Sequence, residues 1–213
     1  MDIRASLAAL SASSGPSGRE QQTLERAMEL LRPLVDEVSR DRFGNLIGVR
    51  RCGKENAKRV VLDAHLDEVG LVITGAKDGF LRFRSVGGID PRMLPDRELT
   101  ILSDPPRFGL VAVLPPHVQR AGDANKSVPM SDLYIDAGLT QEEGEMLIGT
   151  FVVIRGPFRP LLGEVVSGKA MDDRAGFATL LRTAELLKGI PLDVDLYILG
   201  SSREEVNGGG AVV

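Results

Sequence analysis

The 213-residue sequence has one cysteine, two histidines and no tryptophan, and its net charge of -4 gives it no excess of positive charge. Each shortage excludes something. A single cysteine, Cys52, leaves no internal disulfide framework and suits a reducing compartment. Cys52 lies in a polar turn and reads as an incidental free thiol. Basic residues are scattered, with Arg50-Arg51 the densest pair, so the basic face of a nucleic-acid binder is missing. No stretch approaches the ~18 consecutive apolar residues that a bilayer-spanning helix needs. The N-terminus, Met1-Asp2-Ile3-Arg4, has no basic run, and Leu7 to Leu10 is too short for the apolar core of a signal peptide. These absences predict a cytoplasmic protein with neither nucleic acid nor membrane as partner. Internal repeats and low-complexity segments are also lacking.

What is present is ordinary for a folded domain: 43% hydrophobic and 26% charged residues, in a chain long enough for one large domain or two small ones. Asp2 to Leu10 has a helical face of Ile3, Leu7 and Leu10. Ser11 to Gly18 is a Ser/Gly/Pro loop. Arg19 to Arg32 has helical spacing, closed by Pro33. Val38 to Arg40 and Leu46 to Arg50 form a predicted hairpin around Phe43-Gly44-Asn45. Arg59 to Ala64 is an apolar run with the character of a buried strand, and His65 lies just past it, where open α/β sheets place their ligands.

Between Val69 and Leu162 the character changes to short β-like runs split by Gly and Pro turns: Leu71 to Thr74, Phe80 to Arg84, Leu99 to Leu102 and Phe108 to Leu114. This spacing predicts a small β-barrel or sandwich. Thr140 followed by Glu143 fits a capping box. Alternation of strand and helix then resumes, with a strand over Gly163 to Ser167, a helix over Asp173 to Lys188 and a core strand over Val194 to Leu199. The expected fold class is therefore an α/β layer domain, residues 1–68 and 163–213, interrupted by an all-β insertion, residues 69–162.

Three acidic elements punctuate this plan. In His65-Leu66-Asp67, Asp67 can accept a hydrogen bond from the ring nitrogen that faces away from a metal, fixing tautomer and ring direction. Asp172-Asp173 stands at a helix start, where one acid caps free N–H groups. The other stays free, and a carboxylate can bridge two cations about 3.5–4 Å apart. Glu204-Glu205 follows a core strand. An extended segment would send these neighbours to opposite sides, so one could bind metal while the other takes a proton from water. A solvated acidic turn is the plain alternative. His117, after Pro115-Pro116, is the only other histidine and falls in the β insertion.

The runs Asp63-Ala64-His65-Leu66-Asp67-Glu68-Val69-Gly70, Gly168-Lys169-Ala170-Met171-Asp172-Asp173-Arg174-Ala175-Gly176 and Glu204-Glu205-Val206 resemble those of the M42 metallo-aminopeptidases. That family includes tetrahedral and glutamyl aminopeptidases, and proteins labelled endoglucanase-like. Val86-Gly87-Gly88-Ile89-Asp90-Pro91, Pro115-Pro116-His117 and Asp132-Leu133-Tyr134-Ile135-Asp136 in the insertion add to the resemblance. It implies a mixed sheet sandwiched by helices, with the β insertion serving dimerisation and assembly, commonly into twelve-subunit tetrahedra. It implies two divalent metal ions, zinc or cobalt, and removal of N-terminal residues from peptides. His65 would bind one metal, Asp172 would bridge both and Glu205 would bind the other. Glu204 would be the general base and Asp67 would orient His65. The family uses two further ligands, an aspartate and a histidine, beyond the Glu-Glu motif, and the sequence ends at Val213. The expectation is a partial or split chain with each metal one ligand short. The competing expectations are an inactive or assembly-only fragment, and a glycan hydrolase using paired carboxylates, in which His65 and Asp67 would have no role.

Overall fold

The computed structural model describes residues 1–115 and 128–212, so His117 lies outside the described residues. Helix α1 (Ile3–Ala12) starts where the Asp2 carboxylate accepts the backbone N–H groups of Arg4 and Ala5, at 2.9 and 3.1 Å. Helix α2 (Gln21–Leu31) buries Leu24, Ala27 and Leu31, a spacing of three and four residues that puts them on one face. Pro33 falls in the 3-10 turn Arg32–Leu34 that follows. Strands β1 (Glu37–Arg40) and β2 (Leu46–Arg50) form the antiparallel hairpin. Its turn is held by Asp41 Oδ1, which accepts from the amides of Phe43, Gly44 and Asn45, each at 2.9 Å. Strand β3 (Lys58–His65) comes next.

Residues 69–155 form a compact unit of their own. Strands β4 (Gly70–Lys77), β5 (Phe80–Val86), β6 (Glu98–Ile101), β7 (Arg107–Ala112), β8 (Tyr134–Asp136) and β9 (Phe151–Ile154) close into a barrel in the order β4-β5-β8-β7-β6-β9. Closure leaves no strand edge to satisfy. Leu71, Ile73, Leu81, Leu99, Ile101, Val111, Ile135 and Val152 fill its core. The β4–β5 hairpin turns on Asp78 and Gly79, both left-handed at φ 54° and 84°, as a type I′ turn requires. Helix α3 (Gln141–Met146) carries the expected capping box, Thr140 Oγ accepting from the Glu143 amide and Glu143 accepting from the Thr140 amide. The barrel, rather than the sandwich, is the form the β-rich stretch takes.

The other compact unit comprises residues 1–68 and 156–213. Gly156 to Leu162 group with this unit, not with the barrel as the sequence boundary at 163 has it. The reason is local pairing: Lys169 donates its amide to the Gly156 carbonyl at 3.2 Å, and β10 (Arg159–Pro160) pairs with β11 (Val166–Ser167). The strand expected over Gly163 to Ser167 is thus only its last two residues. Helix α4 (Met171–Leu187) follows, then β12 (Val194–Ser201), α5 (Glu204–Asn207) and the 3-10 turn Gly209–Val212. The sheet order is β1-β2-β12-β3, with β12 parallel to β3 and antiparallel to β2. Phe177, Leu181 and Ala184 of α4 join Leu10, Leu24, Leu31, Leu66 and Ile198 in the core. Strand β3 lies at the edge of this sheet, and Val60 and Val61 are 40% and 57% exposed. The apolar run therefore reads as buried in the sequence but is covered only near its end, at Ala64 and His65.

A buried ionic cluster joins the segments of this unit. Glu68, 5% exposed, accepts from Lys169 Nζ at 2.7 and 2.9 Å and from Arg174 Nη2 at 3.2 Å. Arg174 is fully buried. It also donates to the carbonyls of Leu66 (3.1 Å), Leu10 (2.8 Å) and Ser13 (2.7 Å). Lys169 donates to the Ser13 carbonyl at 2.6 Å. The cluster ties the end of α1, the segment after β3 and the start of α4 into one piece. Removing Arg174 leaves buried Glu68 with Lys169 alone and takes a donor from three carbonyls, a loss of about 3–5 kcal/mol. Arg174→Met should lower unfolding free energy in urea by that amount, whereas Arg26→Ala, which breaks an exposed pair with Glu29, should cost under ~1 kcal/mol.

Candidate functional site

Because β3 and β12 are parallel neighbours in register, Ser201 sits beside His65. The Leu66 amide donates to the Ser201 carbonyl at 2.9 Å. The segments that leave the two carboxyl ends, His65 to Glu68 and Ser202 to Glu205, therefore run side by side, at the place where an open sheet presents functional groups. Gly200 makes this close packing possible, since a Cβ there would lie 2.5 Å from Leu66 Cδ1 and 3.0 Å from Phe177 Cε2.

His65 Nε2 faces Asp172 Oδ1 at 3.1 Å and Glu204 Oε2 at 3.8 Å. Its other ring nitrogen, Nδ1, is buried and stands 3.4 Å from Asp67 Oδ1 without hydrogen-bond alignment. Asp67 therefore stands beside the ring without a hydrogen bond to it. Asp67 is fully buried. Its Oδ1 accepts from the Glu204 amide at 3.0 Å, and its Oδ2 accepts from the Glu205 amide at 3.2 Å and from Ser17 Oγ at 2.5 Å. Those amides open α5, so Glu204 and Glu205 stand in the first turn of a short helix, not in an extended segment. Arg203, left-handed at φ 59°, turns the chain into it. The two side chains consequently diverge by the ~100° of successive helical residues, not to opposite sides. Asn45 holds the same loop from beyond: its Oδ1 accepts from the Ser202 amide at 2.9 Å, and its Nδ2 donates to the Gly210 carbonyl at 2.8 Å.

Of the Asp172-Asp173 pair, Asp173 is the cap, its Oδ1 accepting from the Gly176 amide at 3.1 Å. Asp172 is left free, with a side chain 90% exposed apart from its approach to His65. The two depart from helical dihedrals inside α4. Electrostatics follow the packing. Burial pushes the His65 imidazole down, but Asp67, then Asp172 and Glu204, outweigh it and raise it to about 9. Burial pushes the Asp67 carboxyl up, yet His65, Ser17 and the two amides hold it below the usual carboxylate range. Burial raises Asp173 and Glu205, and Asp67, Asp172 and Glu204 push Glu205 further up.

The three acidic elements of the sequence thus meet, through His65, Asp67, Asp172 and Glu204, with Glu205 joined by its amide. The sequence reading missed Ser17, Asn45 and the partners of Glu68. Glu68 offered a signal, as a further acid directly after His65-Leu66-Asp67. Ser17 and Asn45 sit in turn sequences, which carry no sign of long-range partners. Among the described residues, no group of three or more His, Cys, Asp or Glu is arranged around a common ion position. The His65–Asp172 pair still has the right chemistry: an imidazole nitrogen and a carboxylate oxygen facing each other are donors that zinc and cobalt accept.

A family model described as M42 glutamyl aminopeptidase matches residues 44–213. The chain belongs to the M42 family. Lysyl aminopeptidase of Pyrococcus furiosus is 31% identical over 209 residues, covering 94% of this chain and 59% of the relative. Two solved structures share the fold over 99% of this chain. The TET aminopeptidase of Thaumarchaeota archaeon SCGC AB-539-E09 has a TM-score of 0.92 at 28% identity, with 62% of its chain covered. The TET1 peptidase of Pyrococcus horikoshii, described as able to assemble into a tetrahedron or a large octahedral shell, has a TM-score of 0.86 at 31% identity, with 64% covered. The M42 chain thus spans between 51% and 59% of the length of curated relatives such as the glutamyl aminopeptidase of Lactococcus lactis and the lysyl enzyme.

Two outcomes test this geometry. Asn45 is 2% exposed, so Asn45→Ala strands the Ser202 N–H and the Gly210 carbonyl and should cost about 1–3 kcal/mol in urea unfolding. In metal-free protein, the His65 ring should titrate near pH 9 by NMR. Its folded value lies above the unfolded one of about 6.5, so its stabilising contribution is complete below pH ~6.5 and is lost as pH rises to about 9. Asp67→Asn should shrink that pH dependence.

Proposed function

We propose that this M42 chain carries part of a metal-dependent aminopeptidase site that removes N-terminal residues from peptides. The observation that supports it most is the convergence of His65, Asp67, Asp172 and Glu204 from three separate segments at the ends of two parallel strands. In this reading His65, Asp172 and Glu205 hold two divalent cations, zinc or cobalt, with Asp172 shared between them. Such cations, when bound, supply positive charge that polarises a peptide carbonyl and lowers the pKa of water.

The chain's own groups supply the rest. Glu204 is the general base: its carboxylate is half exposed, within reach of solvent, and its backbone is fixed by the amide bond to Asp67. It takes a proton from the attacking water and can return it to the leaving amine. Asp67, buried and ionised, stays in place beside Nδ1 and directs the other ring nitrogen of His65 outward towards Asp172. Asp172, Asp173, Glu204 and Glu205 make the surroundings acidic, which suits the ammonium end of a peptide.

The tetrahedral or octahedral assembly of the horikoshii relative supports a homo-oligomer here too, with the barrel unit, residues 69–155, as its assembly unit. No helix among the described residues is long and apolar enough to cross a membrane; a cytoplasmic location is part of the same proposal. The test is release of amino acids from short peptides by the protein expressed from its complete gene, with added zinc or cobalt. Glu204→Gln should lower release by about 10²–10⁴-fold while metal uptake persists. Release that is independent of metal, or unchanged by Glu204→Gln, would sink the proposal.

A further inference from the structure

We propose that Ser17 is a positioning residue of this site, acting through Asp67 on the His65 ring and the Glu204-Glu205 turn. The inference rests on the reading of His65 and Asp172 as working residues. Asp67 has two oxygens and four neighbours to serve. Oδ1 faces His65 Nδ1 and the Glu204 amide, while Oδ2 takes the Glu205 amide and the Ser17 hydroxyl. An aspartate carboxylate can turn among such partners about its Cβ–Cγ bond, because that terminal torsion has a broad energy profile. An O–H donor at 2.5 Å, in the charge-assisted range, adds to the two backbone amides and fixes the plane of the carboxylate against the ring. Without it, Oδ2 of a fully buried acid keeps only the Glu205 amide, and the carboxylate plane is held less firmly beside Nδ1.

The hydroxyl is itself aimed. Residues 15 to 17 run beside residues 66 to 68: Glu68 donates its amide to the Gly15 carbonyl at 3.0 Å, Ser17 donates its amide to the Glu68 carbonyl at 3.2 Å, and Pro16 bridges to Glu68 in parallel. The Gly15 amide donates to Glu68 Oε1 at 2.9 Å, so the buried ionic cluster anchors this stretch as well. Gly18, at φ 88°, then turns the chain towards α2. Ser11, in the last turn of α1, and Ser13, in the loop after it, donate to the backbone carbonyls of Lys169 and Leu10 at 2.8 and 2.6 Å. They fasten the loop. Ser17 instead donates to a carboxylate of the site, although it is buried to a similar degree, at 4% against 6% exposure for Ser13.

The experiment compares Ser17→Ala, Ser17→Thr and Ser13→Ala on the ring ¹⁵N resonances of His65 in the metal-free chain, and on zinc affinity by calorimetry. A His117→Gln variant assigns the two histidines. Ser17→Ala should shift the His65 ring nitrogens and weaken zinc binding by about tenfold, the low end for loss of an outer hydrogen-bond partner. Ser17→Thr should restore both. Ser13→Ala should lower the melting temperature and leave the ring signals unchanged. Ring signals of Ser17→Ala identical to the wild type, or the same changes in Ser13→Ala, would overturn the proposal. A wild-type chain that takes up no zinc would count against the metal reading, while the ring comparison would still decide the role of Ser17. Should Ser17→Ala fail to fold, the wild-type hydroxyl proton of Ser17 provides the check. It should exchange slowly and resonate downfield of ordinary serine hydroxyls, and a fast-exchanging proton overturns the inference.

Discussion

The α/β unit depends on one buried carboxylate held between two cations. Glu68 receives Lys169 and Arg174, and through them the chain joins α1, the end of β3 and the start of α4. Burying three charges costs several kcal/mol per ion, and the cost is met only because each remaining polar atom finds a carbonyl or amide: those of Leu10, Ser13, Gly15 and Leu66. The arrangement leaves little latitude. If Arg174 moves, α1 and the segment after β3 each lose a donor to a backbone carbonyl.

One residue upstream, Asp67 extends this rigidity to the chemistry. The backbone that carries Glu68 into the ionic cluster also carries Asp67 to the start of α5 and His65 to the edge of Asp172. Side chains of the candidate site and of the structural core alternate along His65-Leu66-Asp67-Glu68: His65 points to Asp172, Leu66 into the core, Asp67 to the α5 amides and Glu68 to the cluster. A shift of one residue in the β3–β12 register would exchange these roles, and the eight paired positions from Val194 with Lys58 to Ser201 with His65 oppose such a shift.

Much of this was legible in the sequence where the signal is local. The hairpin at Asp41 to Asn45, the capping box at Thr140 and the helix after Asp173 follow from turn and cap chemistry within a few residues. The barrel was legible as spacing, but β8 and β9, of three and four residues, are too short to show a period. Two readings failed for a shared reason. Val60-Val61-Leu62 looks like a buried strand, and Glu204-Glu205, correctly placed past a strand end, looks extended, yet sheet order and the left-handed turn at Arg203 decide these outcomes. Both depend on residues far away or on a dihedral that an arginine rarely adopts. Arg174 stands in a quoted motif, but its complete burial could not be seen, because its partners are spread over the first 68 residues.

The discontinuity of the α/β unit also has a temporal side. The barrel is one unbroken stretch with its own core, so it has everything it needs once residue 155 has been synthesised. The unit around it does not. Glu68 is made 101 residues before Lys169, and β3 waits for β12 still longer. On the ribosome, at about 5–20 residues per second, an acid destined for the interior therefore spends several seconds or more hydrated and unpaired, beside an apolar strand with no neighbour. A carboxylate suits that wait better than an apolar side chain would, since outside the fold it is hydrated at no cost.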